Sequence, residues 1–412
     1  MGLRTDWEQM GMNQMKRDYI VKGSRSYYMA ILALFLGSLA NFGLTYSIQP
    51  LLPKISNAFG LLPSTASLAM SMTTGSMAIG LLLIAGVAGM LERKKTIVAS
   101  LIGSAVLMIG ASMSSDFASI LVCRALQGLF IAGFPAIAIA YINEEFDPRT
   151  IGFVIGIYIG SNSIGGLLGR IVTSSVADMY DWHIGLGSIS VVGLVLALWV
   201  LFTLPRSVNF APSKHCPKNF VRSIFDNFKN RHLVEIYFVA FCVMGCFMAM
   251  YNFLPYVLVQ PPYSFTQTQV GLIYAMYLIG SFASAYMGKK ADFCGHGKVL
   301  CISFLLTFVG VLGTVPSSFW CKMAGLAVFT FGFFGAHTAA CSWVGSVCRG
   351  DKAQAVSLYL LCYYVGASII GTLTGVPYQT HGWEGAAATM CAVLGIGGMV
   401  ALHLWRELDR RA

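Results

Sequence analysis

Residues 184–204 read IGLGSISVVGLVLALWVLFTL, bounded by Asp181 before the run and by Pro205 and Arg206 after it. No charged side chain interrupts this stretch. A helix of that length is about 30 Å long, which is the thickness of a bilayer's hydrocarbon core. Runs of the same kind recur along the chain, and the spacing predicts twelve helical spans at 27–52, 67–90, 96–115, 117–141, 150–177, 184–204, 233–259, 267–288, 298–315, 320–344, 355–379 and 385–405. Helices are required because lipid offers no partner to backbone N–H and C=O groups. The alternating pattern of a membrane β-barrel is absent.

Composition agrees. Of 412 residues, 56% are apolar and 11% charged, with a mean hydropathy of +0.70. A water-facing domain carries about 25% charged residues. A soluble enzyme, a nucleic-acid-binding domain and a disordered chain are thereby excluded. The eleven cysteines lie mostly within apolar runs and lack metal-ligand spacing, so neither a zinc site nor a disulfide framework is expected. A polar, basic stretch precedes the first span, whose length suits a permanent helix rather than a cleaved leader.

The basic residues give the orientation. Of 27 Lys and Arg, 23 fall on the side that carries both termini, the even-to-odd loops and the central segment. The opposite side holds Lys54 and Lys322; Arg124 and Arg170 lie within spans. The excess of positive charge on cytoplasmic loops predicts both termini in the cytoplasm. Membrane lipids, and no nucleic acid, are the partners this net charge of +10 implies.

The expected organisation is a tail (1–26), a six-helix bundle (27–204), a linker (205–232), a second bundle (233–405) and a tail (406–412). Within the linker, Phe220, Ile224 and Phe228 recur every four residues among Lys218, Arg222, Lys229 and Arg231. That pattern makes an amphipathic helix lying in the interface, as a tether or as a regulatory element. The halves look duplicated. Gly160-Ser161-Asn162-Ser163-Ile164-Gly165 matches Gly366-Ala367-Ser368-Ile369-Ile370-Gly371, and each is followed by an outer Trp, Trp182 or Trp383. Loops after spans two and eight, Gly86 to Lys95 and Gly288 to Lys298, also correspond. Parallel repeats around a midplane cavity are a transporter's architecture.

These loops carry a resemblance to the major facilitator superfamily over residues 27–405. The second loop, with Gly288, Asp292, Gly295 and Lys298, is similar to that family's loop motif. In the first, Gly86, Arg93 and Lys94 remain recognisable, but Met90 stands where the family has its Asp and Arg93 where it has its second Gly. Arg124-Ala-Leu-Gln127-Gly128 resembles the arginine motif of proton-coupled members. Gly156 to Gly166 resembles the glycine-rich antiporter motif, with Ser161 where a Pro is usual. The stretches around Asn162 to Arg170, Gly332 to Trp343 and Ser357 to Tyr364 resemble the bacterial inner-membrane YnfM-type branch, grouped with acriflavine-sensitivity efflux proteins. The resemblance implies an all-α membrane fold of two pseudo-symmetric six-helix bundles. It further implies a monomeric, proton-coupled efflux antiporter of the bacterial cytoplasmic membrane that moves a small organic compound, with the two loops gating.

An ionised side chain at bilayer depth costs several kcal/mol, so each one in a span is a functional candidate. None of the 17 acidic residues lies mid-span. Arg124 and Arg170 do, at depths that differ by about 5 Å when counted at 1.5 Å per residue from the loop between spans four and five. Asn162, Gly166 and Arg170 share one helix face. Two guanidiniums at one depth suit an anion held by bidentate bonds, so uptake or exchange of a small organic anion is the alternative function. The structural alternative pairs Arg124 with Asp116, Arg170 with Asp178, or either with backbone carbonyls. His337, Arg124 and Glu235 are the proton-coupling candidates; His337 has the side chain suited to exchange near neutral pH. Asn41, Gln127, Tyr251, Asn252, Trp343, Tyr359, Tyr363 and Tyr364 are either cavity wall or helix glue. No nucleotide-binding loop and no catalytic motif occurs, so neither a cofactor nor enzymatic activity is expected.

Overall fold

A computed structural model describes residues 19–210, 212, 224–348 and 352–408. Among the described residues, twelve helices are long and apolar enough to cross a membrane: α1 (Arg25–Phe59), α2 (Pro63–Met90), α3 (Arg93–Ser112), α4 (Phe117–Glu145), α5 (Ile151–Met179), α6 (Trp182–Thr203), α7 (Arg231–Leu258), α8 (Gln267–Cys294), α9 (His296–Gly313), α10 (Phe319–Val347), α11 (Gln354–Leu373) and α12 (Gly375–Leu408). Large apolar side chains such as Phe202, Leu305 and Val195 point outward, as a lipid-facing surface requires. The face holding the start of α1 and the end of α12 is termed the terminal face here, and its opposite the far face.

Several ends differ from expectation, for local reasons. α1 continues past residue 52 to Phe59 through a 3₁₀ turn at Gln49–Leu51, where Pro50 and Pro53 break the α-helical ladder without ending the rod. The boundary between the last two helices falls at Thr374 rather than after 379, and Gly382 (φ 59°) bends α12 where a residue with a Cβ would be strained. α8 is interrupted by a 3₁₀ turn at Tyr274–Met276. In the linker, Ile224 and Phe228 lie on a short helix over 224–229, with Phe228 edge-on to Tyr237 of α7 at 5.9 Å; Lys218, Phe220 and Arg222 lie outside the described residues.

Helix contacts repeat between the halves. α1 and α5 touch backbone to backbone: a Cβ on Gly169 would come within 2.5 Å of the Gly43 Cα. In α7 and α11 the same role falls to Gly366, whose Cβ would meet the Phe241 carbonyl at 2.2 Å. Gly160, the matched partner of Gly366 by sequence, has nothing within 4 Å. A Cβ on either of the matched Gly165 and Gly371 would meet the facing helix, at Leu39 (2.7 Å) and Met248 (3.0 Å), so the repeats share one contact glycine and differ at the other.

The two lysines on the far face end helices. Lys54 Nζ donates to the Ala177 carbonyl at the end of α5, and Lys322 Nζ donates to the Thr314 carbonyl at the end of α9 at 2.6 Å. A cation at a helix C-terminus meets orphan carbonyls and the negative end of the dipole. Both exceptions to the charge asymmetry thus have a local cause.

Candidate functional site

The bundles meet at the far face through polar contacts. Ser71 bonds Thr372 and Thr74 bonds Ser368, joining α2 to α11. Gln379 reaches Ser64, and the Tyr256 hydroxyl donates to the Leu52 carbonyl at 3.0 Å. The Asp178 carboxylate at the end of α5 accepts from the backbone N–H groups of Gln267 and Thr268, both at 3.2 Å, and from the Thr268 hydroxyl at 2.7 Å. One bundle's carboxylate therefore caps the first helical turn of α8 in the other bundle.

One stripe along α5 reports how the bundles diverge. Arg170, Ser174 and Asp178 press on α8: a Cβ on Gly271 would stand 2.6 Å from Ser174 Cβ. Nearer the terminal face the same stripe carries Gly152, Gly156 and Gly160, around which a Cβ would meet nothing within 4 Å. The two helices touch at the far face and are apart toward the terminal face.

Arg124 and Arg170 are both fully buried, Arg124 against Leu44 and Thr45 of α1 and Arg170 against Tyr46 and Gln49 of the same helix. They do not converge. Arg124 donates to the carbonyls of Ala69 (3.0 Å), Leu44 (3.3 Å) and Thr45 (2.8 Å) and to Gln127 Oε1 (2.5 Å). Gln127 in turn donates to the Ser104 carbonyl at 3.2 Å. Four of the five guanidinium N–H groups thus hold α4 to α1, to α2 and, through Gln127, to α3, and the fifth lies toward Met70 Sδ.

Arg170 is held between the bundles. Its Nε and Nη2 donate to Gln49 Oε1 at 3.0 and 2.7 Å, Nη1 to the Gly166 carbonyl at 2.8 Å, and Nη2 to the Tyr277 hydroxyl at 3.0 Å. The rings of Tyr46, Tyr274 and Tyr277 each lie 4.6 Å from the guanidinium carbon, within cation–π range. Gln49 continues the chain to Asn252 Oδ1 at 2.8 Å, and Asn252 donates to the Gly371 carbonyl at 3.4 Å. Arg170 pairs with neither Asp178 nor a solute-accessible volume. In this conformation neither arginine offers an anion an open guanidinium.

Beneath that cage lies an aromatic centre. Tyr364 of α11 is near Tyr46 of α1 and Tyr158 of α5, and Tyr363 packs on His337 with ring centroids 4.7 Å apart. His337 Nδ1 lies 2.9 Å from the Tyr359 hydroxyl, which donates its proton to the His337 carbonyl at 3.3 Å. A hydroxyl has one proton, so Nδ1 carries the ring hydrogen when Tyr359 donates to the carbonyl and accepts when Tyr359 donates to the ring, and in the first of these tautomers Nε2 is a bare acceptor. Nε2 makes no bond and is not sealed in the interior. Across the gap, Asn162 accepts from the Ser38 hydroxyl while its amide nitrogen is likewise unbonded and not sealed. Asn41 is fully buried, and both atoms of its amide are without partners.

Other predicted residues lie elsewhere. Tyr251 is bonded to Thr330 (2.7 Å) and packed among Phe247, Tyr274 and Tyr277, inside the second bundle. Trp343 stacks on His296 at 6.3 Å, toward α9. Glu235 belongs to a surface ion cluster between α7 and α12, 2.9 Å from Arg231 and 3.7 Å from His403, which places it away from the gap between the bundles. In the first loop, Arg93 forms a bidentate pair with Glu144 at 2.7 and 2.9 Å and donates to the Leu91 carbonyl, while Glu92 caps α3 through the N–H groups of Lys94 and Lys95. The second loop turns at Gly295 (φ 89°). Asp292 and Lys298 are exposed there, and a Cβ on Gly288 would meet Thr338 at 3.2 Å. Gly86, with no Cβ, completes the last turns of α2 before the first loop.

Sequence reasoning missed Gln49 and the tyrosines Tyr46, Tyr158, Tyr274 and Tyr277. The signal for Tyr274 and Tyr277 was their i, i+3 spacing inside a short α8 segment; Gln49 had none beyond its place before Pro50.

Comparison with known proteins follows the same outline. A family model described as Major Facilitator Superfamily matches residues 34–262 and again 236–412. The chain is 35% identical to the inner membrane transport protein YnfM of Escherichia coli, over 98% of this chain and 97% of that one. It is 34% identical to the uncharacterized MFS-type transporter YybF of Bacillus subtilis, over 95% and 96%. Among solved structures, a bacterial homolog of the human lysosomal transporter Spinster, inward-facing and unoccupied, superposes with TM-score 0.79 at 14% identity, covering 94% of this chain and 99% of that one. The nucleoside transporter NupG gives 0.75 at 15% identity, covering 91% and 100%.

Proposed function

The chain belongs to the major facilitator superfamily, close to the YnfM branch, and on that premise we propose that it is a proton-coupled exporter of a small organic compound. The carrying observation is the α5 stripe, on which Arg170, Ser174 and Asp178 are pressed against α8 while Gly152, Gly156 and Gly160 face open space. A helix pair closed at one end and open at the other is one state of an alternating-access cycle. With both termini in the cytoplasm of a bacterial inner membrane, as the basic loops predict, this is the inward-open state.

The substrate site lies where the aromatic centre faces the gap, with Tyr46, Tyr158, Tyr363 and Tyr364 as walls and with Asn162 and His337 offering a donor and an acceptor. Apolar walls with few directed polar groups suit an organic molecule of mixed polarity. His337 Nε2 accepts the proton, and its position beside the site couples protonation to substrate release. The bonds that hold Arg124 and Arg170 favour this reading over an anion clamp, since both guanidiniums are already occupied by protein oxygens.

Reconstitution into liposomes with an imposed pH gradient tests it. His337→Ala should abolish gradient-driven accumulation while substrate counterflow persists. Retained accumulation in that variant would remove His337 as the proton carrier. Arg170→Ala leaving an organic anion's transport intact would remove the clamp alternative.

A further inference from the structure

A second cavity opens on the terminal face, away from the gap between the bundles. Its volume is about 360 Å³, and it lies where the start of α1, the start of α3 and the end of α6 come together. Three cations line it, Arg25, Lys94 and Arg206, beside the apolar side chains of Met29, Phe202 and Leu204. Phe202 is 81% exposed on the lipid-facing side, so the cavity straddles the boundary between acyl chain and headgroup.

Three cations outnumber the one carboxylate, Glu92, that acts on Lys94. Among the described residues, none of the three cationic groups donates a hydrogen bond or forms an ion pair within 4 Å, whereas the neighbouring Arg93 is matched by Glu144. Lys94 and Arg206 are near enough to repel. Glu92 accepts from the backbone N–H groups of Lys94 and Lys95 and so caps α3. α1 adds the positive end of its dipole, since Arg25 and Ser26 form its first turn. A counter-charge entering between them would relieve that repulsion.

We infer that this cavity binds the phosphate of an anionic phospholipid, with the diester between Arg25, Lys94 and Arg206 and an acyl chain along Met29, Phe202 and Leu204. Zwitterionic lipid fits less well, because its own ammonium or choline would enter a field of three cations. Free inorganic phosphate shares the ionic chemistry but leaves the apolar wall unused.

The test uses the full-length protein, delipidated in an uncharged detergent at low ionic strength. Lipid retention is read by native mass spectrometry and stabilisation by thermal shift. Phosphatidylglycerol should bind and raise the melting temperature, and phosphatidylcholine should not. Each basic group near the membrane surface is worth about fivefold in affinity, so a variant with Arg25→Gln, Lys94→Gln and Arg206→Gln should bind phosphatidylglycerol on the order of 10²-fold more weakly. Lys229→Gln, on the same face but paired with Asp226, should leave binding unchanged. If the triple variant does not fold, Arg206→Gln alone should show the fivefold loss. Undiminished binding by either variant overturns the site. Inorganic phosphate that stabilises as well as the lipid, and displaces it, overturns the lipid assignment in favour of a free anion.

Discussion

Replacing Asp178 by Ala removes a cap that crosses between the bundles, and its effect can be worked from the contacts. The first N–H groups of a helix have no partner within it. In α8 those of Gln267 and Thr268 go to Asp178, and that of Gln269 goes to the Thr266 hydroxyl. Losing an acidic cap costs about 0.5–2 kcal/mol. Asp178 is exposed, so water replaces part of the interaction and about 1 kcal/mol is the better figure. In the proposed alternating-access cycle the contact exists only while the far face is closed, so that energy is lost from one state alone. At about 1.4 kcal/mol per factor of ten, the far-open population should rise about fivefold. Ser174, fully buried against Gly271, reports this as a cysteine in an otherwise cysteine-substituted background. A membrane-impermeant maleimide added from the far side should label it about fivefold faster in Asp178→Ala, and Asp178→Asn should fall between. Thr268→Val should act in the same direction but not additively, because it breaks the same contact. An unchanged labelling rate in Asp178→Ala would refute the idea that this cap holds the far face shut.

Arg124→Lys keeps the charge but not the planar fork, and one ammonium cannot reach carbonyls on both α1 and α2. It should lower stability by about 3 kcal/mol, read as melting temperature and folded yield in detergent. Gly169→Val should prevent folding or sharply lower its yield, because its Cβ would lie 2.5 Å from Gly43 Cα, with overpacking costs of about 1–3 kcal/mol or more. Gly160→Ala should be neutral or stabilising by about 0.5–1 kcal/mol. Gly160→Leu should fold but stop transport, because its side chain fills the space that α8 must enter when the terminal face closes; normal turnover in that variant would contradict the stripe's role.

Twelve helices were legible because burial in lipid leaves a long apolar run that nothing else in a protein requires. Their ends were less so. At the end of α1 and the start of α12 the helix continues through polar residues such as Asn57 and Gln379, so polarity does not mark its boundary. The depth of the two arginines could be counted from a loop, yet their partners could not. Arg124 binds backbone carbonyls, which every residue possesses and no sequence pattern distinguishes. Arg170 binds Gln49 across 121 positions within its own bundle, and it binds Tyr274 and Tyr277 on the opposite bundle, contacts that depend on how the halves dock. Asp178 stood close to Arg170 in sequence but caps α8, because the free N–H groups at that helix start outcompete a guanidinium already satisfied by Gln49.

The claim on which the function depends is that the two bundles close at one face only when they part at the other. Pulsed electron paramagnetic resonance measures this with two label pairs, Ser64 with Gln379 at the far face and Gly156 of α5 with Ala285, an exposed residue in the terminal-face half of α8. The resting protein should give a short far-face distance and a long terminal-face distance, and a proton gradient with substrate should lengthen the first as it shortens the second. Two distances that stay fixed through turnover, or that are short together and lengthen together, would contradict it.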